Sequence, residues 1–355
     1  MAKDWTSWAI NQFFADRASP TRSECDDLAL SITGTSTLRQ VRIPGSLSYT
    51  VTCKRPLPRV RDETDEVVVS FRQQESGLDR DTVALASTIH GQLVPHASLH
   101  GTVPRSDPVL EIYTMPLIPG IACIEVLGCQ REMDAEEEAK HGLFIRHLAR
   151  YFARSLSAPQ SVLIQARESL QEDISRHLVI LKSDAAFDLI PCSTLSALQD
   201  SLPHLFTTDY PQVLTHGDLS NTNILVDPET YEITGLVDWS LASAKPFGME
   251  LDTLLLTTGY MDMDGWHDYD CKAALIESFW AEFWTSAAAL GVSGYGHGGD
   301  AEPGKQEAFR AQAEAAMKIG AVLRYGFERN ADGSASDAVS NSEAMLKTLE
   351  GWFKT

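Results

Sequence analysis

His216, Asp218 and Asn223 stand in the run His216-Gly217-Asp218-Leu219-Ser220-Asn221-Thr222-Asn223, which fits the pattern H-x-D-x-x-x-x-N. A second aspartate follows in Gly235-Leu236-Val237-Asp238-Trp239, at the end of an apolar stretch. An aspartate, an asparagine and another aspartate in that order suit phosphoryl transfer. One carboxylate accepts the proton of the attacking hydroxyl. The amide and the other carboxylate hold the Mg²⁺ ions that bridge nucleotide phosphates.

Two elements must position these groups. Asn223 to Asp227 and Glu232 to Ser240 both read as strands, rich in Ile, Leu and Val. Asp227-Pro228-Glu229-Thr230 between them is a turn sequence, with proline presetting φ at its second position. A hairpin built this way brings Asn223 near Asp238, so that two metal ligands face one pocket. A polar loop joined to an ordinary hairpin is the alternative reading of the same residues.

The chain has 355 residues, 43% hydrophobic and 22% charged, enough for a sizeable core and for two lobes. A formal net charge of −20 argues against nucleic acid as a partner, because phosphate backbones require clustered Lys and Arg. It is compatible with a cationic small substrate, although solubility explains it as well. The six cysteines (Cys25, Cys53, Cys123, Cys129, Cys192 and Cys271) are dispersed, without zinc spacing, and read as free thiols of a reducing compartment. No signal peptide begins the chain and no apolar run spans a bilayer. A cytoplasmic location without a membrane partner follows by elimination. The oligomeric state is not encoded in any visible pattern. Gly291 to Gly304 and Asn330 to Ser342 read as soft stretches.

The first part of the chain reads as a nucleotide lobe over residues 1–115. Ser48 to Cys53 and Glu66 to Arg72 have strand composition. The small-residue turn Pro44-Gly45-Ser46-Leu47-Ser48 leads into the first strand. Its backbone N–H groups could lie over phosphates, and a plain hairpin turn fits the residues equally. A helix follows Arg72, with Asp79 as N-cap, Asp81 in the first turn, Leu85 and Ile89 on its apolar face and Gly91 as its stop. In kinase folds a strand lysine grips phosphates and pairs with a helix glutamate. Arg72 and Asp81 are the candidates here; a surface arginine and a dipole-serving aspartate are the alternative. Val109 to Met115 is one more strand. Pro116 to Ile121 then reads as a hinge, where backbone near Met115 could meet an adenine ring or where the chain is a simple connection.

The remainder, 122–355, reads as a helical catalytic and substrate lobe. Phe144, Leu148, Phe152 and Leu156 repeat along a helix from Ala135 to Leu156. Further helices are predicted at Asp270 to Leu290, Gln306 to Glu328 and Ser342 to Phe353. Phe279, Trp280, Phe283 and Trp284 read as core packing, with a substrate wall as the alternative. Met261 to Asp270 concentrates carboxylates and aromatics, either as a solvated loop capping the next helix or as a contact for a cationic or polyhydroxyl substrate. Glu250 and Asp252 are expected to orient backbone.

These residues resemble the aminoglycoside phosphotransferase and choline-kinase-like group, the phosphotransferase enzyme family, and within it the branch abundant in filamentous fungi. The resemblance rests on His216 to Asp227, Val237-Asp238-Trp239, Pro246-Phe247-Gly248, Gly45 to Val51, Phe71-Arg72, Leu78 to Asp81 and Gly265-Trp266-His267. It runs from about Ser31 to about Phe283. It implies an α+β, bilobal protein-kinase-like fold with a small β-rich N-lobe and a larger, mainly helical C-lobe. It also implies ATP, Mg²⁺ and a small-molecule acceptor with a hydroxyl. Carried over, Asp218 is the catalytic base, Asn223 and Asp238 hold metal and His216 braces the loop. Gly45, Ser46, Ser48, Arg72, Asp81 and Met115 line the nucleotide site. Two departures stand out: the strand lysine is Arg72 and the helix glutamate is Asp81. They keep two other readings open, a nucleotide-binding protein without turnover and a kinase-fold enzyme recruited to other chemistry.

Overall fold

The β-branched and aromatic residues between Leu38 and Pro116 pair into one antiparallel sheet. A computed structural model describes residues 5–15, 17, 19–54, 66–127, 133–184, 187–292 and 304–354 of the chain. Two helices, α1 (Trp5–Ala15) and α2 (Arg22–Thr33), precede the sheet. Its strands are β1 (Leu38–Gln40), β2 (Ser48–Lys54), β3 (Glu66–Gln73), β4 (Ser98–Thr102) and β5 (Leu110–Pro116), in the order β1-β2-β3-β5-β4. Alternation along β2 and β3 points Tyr49, Val51, Cys53, Val69 and Phe71 into a core shared with Ile10 and Phe13 of α1 and Cys25 and Ala29 of α2. Helix α3 (Arg80–His90) follows β3, and the Asp79 side chain caps it by accepting the Thr82 N–H at 2.8 Å.

The rest is mainly helical. In chain order it holds β6 (Ile121–Ala122), α4 (Ala135–Ser157), α5 (Ile164–Ser183), α6 (Cys192–Ser201), β7 (Gln212–Thr215), β8 (Ile224–Val226) and β9 (Ile233–Leu236). There follow β10 (Ser243–Pro246), α7 (Asp252–Leu256), β11 (Gly259–Met261), β12 (Trp266–Asp268), α8 (Lys272–Ala289), α9 (Lys305–Tyr325), β13 (Phe327–Arg329), β14 (Ala335–Val339) and α10 (Glu343–Phe353). The predicted stripe Phe144, Leu148, Phe152 and Leu156 on α4 is buried, as are Phe279, Trp280 and Phe283 on α8. Among the described residues no helix is long and apolar enough to cross a membrane. The architecture is α+β, with a β-sheet N-terminal region and a helical C-terminal region.

The chain divides into two compact units. One is Met1–Gly120 with Thr234–Ser240, and the other is Ile121–Ile233 with Leu241–Thr355. The division expected at residues 116–121 therefore omits a return: the segment carrying Asp238 belongs with the N-terminal unit.

Several local expectations need correction. The strand predicted to reach Ser240 ends at Leu236, because Asp238 adopts φ +68° and Trp239–Leu241 form a 3-10 turn. The helix predicted to Glu328 stops at Tyr325. Its fully buried successor Phe327 pairs with Val339, so the soft stretch Asn330 to Ser342 contains half of a hairpin. On α3 the buried face is Val83, Ala86 and His90, while Leu85 and Ile89 are only half-buried. Met261 to Asp270 is the tip and second strand of the β11–β12 hairpin, and α8 begins without a side-chain cap. Helices α1, α2, α5 and α6 escaped the sequence reading. Most of Gly291 to Gly304, and Cys129, lie outside the described residues.

Candidate active site

The loop from His216 to Asn223 is shaped by glycine and a buried glutamate. Gly217 has φ +83°, and a Cβ there would lie 2.1 Å from the Leu241 carbonyl oxygen. No side chain fits. Buried Glu250 accepts the backbone N–H of His216 at 3.0 Å and of Gly217 at 2.7 Å. His216 is fully buried, and its Nδ1 lies 3.3 Å from the Asp218 N–H as acceptor. A turn then brings the chain back, with the Asn223 N–H donating to Ser220 O at 2.9 Å. Asn223 Nδ2 donates to the Asp218 carbonyl at 2.8 Å and to Asp218 Oδ2 at 3.1 Å. The expected carboxylate and amide thus form one hydrogen-bonded unit, and the donation by Nδ2 leaves the amide oxygen of Asn223 as the atom suited to a cation.

The other oxygen of Asp218 meets two arginines. Oδ1 accepts from Arg324 Nη2 at 2.7 Å and from Arg329 Nη1 at 3.0 Å. Arg324 sits in the last turn of α9. One turn earlier on the same face, Gly320 lets the helix approach the loop before α7; a Cβ there would lie 1.9 Å from the Met249 carbonyl oxygen. That close approach brings Arg324 to Asp252, 3.5 Å away, as well as to Asp218. Burial pushes the Asp252 carboxyl up to about 7, against the pull of Arg324. Burial also opposes the charge of Arg324, but Tyr325, Asp252, Asp218 and Glu250 outweigh it and raise its pKa. Arg329 closes β13 and is tied down by Gly217 O at 3.0 Å and by Gly333 O across the hairpin turn at 3.3 Å.

The N-terminal unit has an aspartate–arginine pair of its own. Arg72 Nη2 donates to Asp238 Oδ1, and the Ser240 hydroxyl donates to the same oxygen at 2.9 Å. Arg72 Nε donates to the Ser76 carbonyl at 2.8 Å. The left-handed backbone at Asp238 is one that aspartate tolerates better than most residues. The expected partner of Arg72 was Asp81. The structure pairs it with Asp238 instead, while Asp81 is exposed in the first turn of α3. Arg72 lies on the sheet beside Ser48, its register partner on β2. The turn carrying Gly45 and Ser46 therefore adjoins the Arg72–Asp238 pair: Gln73 N–H and the Ser76 hydroxyl both donate to Leu47 O, at 3.1 and 3.0 Å. Met115 lies on β5 opposite Val68 of β3, on a different strand from the turn.

Two of the four aspartates in the acidic stretch offered as a cation contact are committed internally. Asp262 accepts from His267 Nε2 at 2.9 Å, and Asp268 pairs with Lys272 at 2.8 Å.

Residues 82–288 match the description Phosphotransferase enzyme family, more than half of the chain. The chain belongs to that family. None of the curated proteins matches it in sequence. Among solved structures, a candidate aminoglycoside phosphotransferase from Ralstonia eutropha is 14% identical with a TM-score of 0.52, over 93% of this chain and 94% of that one. The macrolide 2′-phosphotransferase MphH of Brachybacterium faecium is 16% identical with a TM-score of 0.47, over 85% and 92%. Aminoglycoside 2′-phosphotransferase-IIIa, in its GDP complex, is 14% identical with a TM-score of 0.48, over 86% and 91%. The Ralstonia likeness establishes the kinase-like fold of these enzymes, as the sequence resemblance implied.

The two arginines on Asp218 carry no signal in the sequence. Arg324, in the last turn of a helix, reads as an ordinary dipole-compensating cation, and Arg329 stood within a helix predicted too long. Both lie beyond the matched region.

Proposed function

We propose that this phosphotransferase moves the γ-phosphoryl group of ATP to a hydroxyl of a small molecule, with Mg²⁺. The observation that carries the reading is the Asp218–Asn223 unit, held on a loop that Gly217, His216 and Glu250 fix. Asp218 takes the proton of the acceptor hydroxyl, for which Oδ2 is the better placed oxygen because both guanidiniums sit on Oδ1. The Asn223 amide oxygen and the Asp238 carboxylate are hard oxygen donors of the kind that magnesium takes. Magnesium held by such donors would neutralise charge on the phosphates. Arg72 offers a rigid fork for phosphate oxygens, and the Gly45 to Ser48 turn offers backbone N–H groups beside it. His216 holds the loop and touches no reactant. Met115, at the end of the sheet, is assigned to the adenine side.

The test is ADP release from Mg·ATP across a panel of hydroxylated acceptors, with nucleotide affinity measured by titration. Asp218→Ala should abolish release while ATP affinity stays within a few-fold. Undiminished release in that variant would remove Asp218 from the chemistry. One structural feature favours a second reading. Both key aspartates are engaged by arginines, as in a protein that binds nucleotide and does not turn it over. Tight ATP binding with no ADP release from any acceptor would select it.

A further inference from the structure

A cavity of about 320 Å³ opens behind the arginines that hold Asp218. Helix α5, strand β10, helix α9 and the β13–β14 hairpin enclose it. Leu170, Ile174, Leu241, Met249 and Leu323 supply an apolar wall. Its volume is at the small end of the range for pockets that bury organic ligands.

The charges in its wall are unequal in their commitments. Glu250 is spent on two backbone N–H groups and accepts the Tyr151 hydroxyl at 3.3 Å. Asp173 pairs with Arg176. Asp332 accepts the Ser334 N–H at 3.0 Å and its hydroxyl at 2.6 Å. Asp252 is opposite Arg324. Arg324 and Arg329 are spent on Asp218, Leu219 O, Gly217 O and Gly333 O. Lys245 differs. It projects from β10, whose register partner is Val213 on β7, and lines the cavity with no hydrogen bond or ion pair to any described residue. Lys245 is half-buried, and its ammonium has donors free for a ligand in the cavity. Burial accordingly lowers its pKa, with Arg329 and Arg324 adding to the effect and Glu250 and Asp252 opposing it.

We propose that this cavity binds a small molecule bearing a carboxylate on an apolar stem, with Lys245 receiving the carboxylate and the leucine-rich wall receiving the stem. An anion gives the Lys245 ammonium, on which Glu250, Asp252 and Asp332 act without a hydrogen bond, a direct partner, and the stem removes apolar surface from water. A cationic ligand has no equivalent place, because each wall carboxylate already has a donor or a counter-charge. The site does not depend on the phosphotransfer reading, since it concerns occupancy of the cavity and not turnover.

Hexanoate, hexanamide and hexylamine share one stem and differ only in charge, so they serve as probes by ligand-observed NMR on the full chain. Hexanoate should bind about tenfold or more tightly than hexanamide, the margin of a charge-assisted hydrogen bond. Lys245→Met should erase that margin, and Lys245→Arg should keep most of it. Thermal melts of both variants show whether the fold is intact, and Lys245→Met should melt no lower than the parent. Hexanamide or hexylamine binding as well as hexanoate would overturn the proposal, as would an unchanged hexanoate affinity in a folded Lys245→Met. ADP release, measured with and without hexanoate, reports separately on the proposed activity.

Discussion

Each unit of this protein holds one aspartate that phosphoryl transfer would use, and each aspartate is held by arginine, but in different ways. In the N-terminal unit a single buried arginine, Arg72 (6% exposed), reaches Asp238, whose side chain is 36% exposed. Arg72 belongs to a central strand and was visible in the sequence as a phosphate-gripping candidate. In the C-terminal unit two arginines converge on Asp218 from residues past the matched family region. One of them is also the counter-charge of deeply buried Asp252. The first pair can exchange its carboxylate for phosphate at modest cost, because Asp238 keeps access to water. The second cannot be loosened at Arg324 without stripping Asp252, 3% exposed, of its counter-charge. The Arg72–Asp238 pair is therefore suited to ligand exchange, and the pair around Asp218 is a clamp that fixes the loop.

The comparison can be broken most directly at Asp218 itself. Asp218→Ala is expected to lower ADP release by about 10²–10⁴-fold or more, the range for removing a general base, with ATP affinity nearly unchanged. Arg72→Met should do the reverse, weakening ATP binding by about tenfold, the margin of charge-assisted phosphate contacts, with only a small change in melting temperature. If Arg72→Met instead melts as low as a clamp mutant, the distinction between the two pairs fails.

Arg324→Met tests the clamp. Above pH 7, where Asp252 is ionised, removing Arg324 should cost about 3–5 kcal/mol, and less at lower pH, where Asp252 takes a proton, whereas Arg329→Met, at a more open position, should cost only about 1 kcal/mol. Denaturant melts of the two variants measure the gap, and equal losses would place both arginines in the same role. Gly217→Ala comes next. The added Cβ meets the Leu241 carbonyl at a left-handed φ, a strain of roughly 1–3 kcal/mol, visible in the same melts.

A pH dependence is the remaining test. The Asp252 carboxyl rises from 3.8 to about 7 on folding, so the folded protein binds a proton there that the unfolded chain has lost. By linkage the stability this group contributes is complete below about pH 4 and fades as pH rises toward 7. Asp252→Asn should flatten the stability profile across that window. A parent profile that rises from pH 4 to 7, with the variant parallel to it, would contradict the assignment.

Local chemistry made a good part of this protein readable in advance. Strand composition gave β2, β3 and β5, helical periodicity gave α4, α8 and α10, and Asp79 and Gly91 bounded α3. Such signals live within a few residues, where backbone preference and side-chain alternation act directly. The same reasoning ran α9 too far, because burial of Phe327 against Val339 overrides helical preference only once the hairpin exists. It missed α5 and α6, neither of which opens with a side-chain N-cap.

The residue types and spacing of the His216 to Asn223 loop were set by the sequence alone, while its shape also needs Glu250, Leu241 and Arg329 from later in the chain. The choice of partner for each charge was made by the tertiary fold. Arg72 met Asp238 across 166 positions and passed over Asp81, only nine residues on, while Asp218 met Arg324 and Arg329 across 106 and 111. Long charged side chains have no periodicity that announces their contacts. Where they land is decided by which backbones the core allows to approach, as Gly320 does for α9, and by which carboxylates burial leaves most in need of a counter-charge.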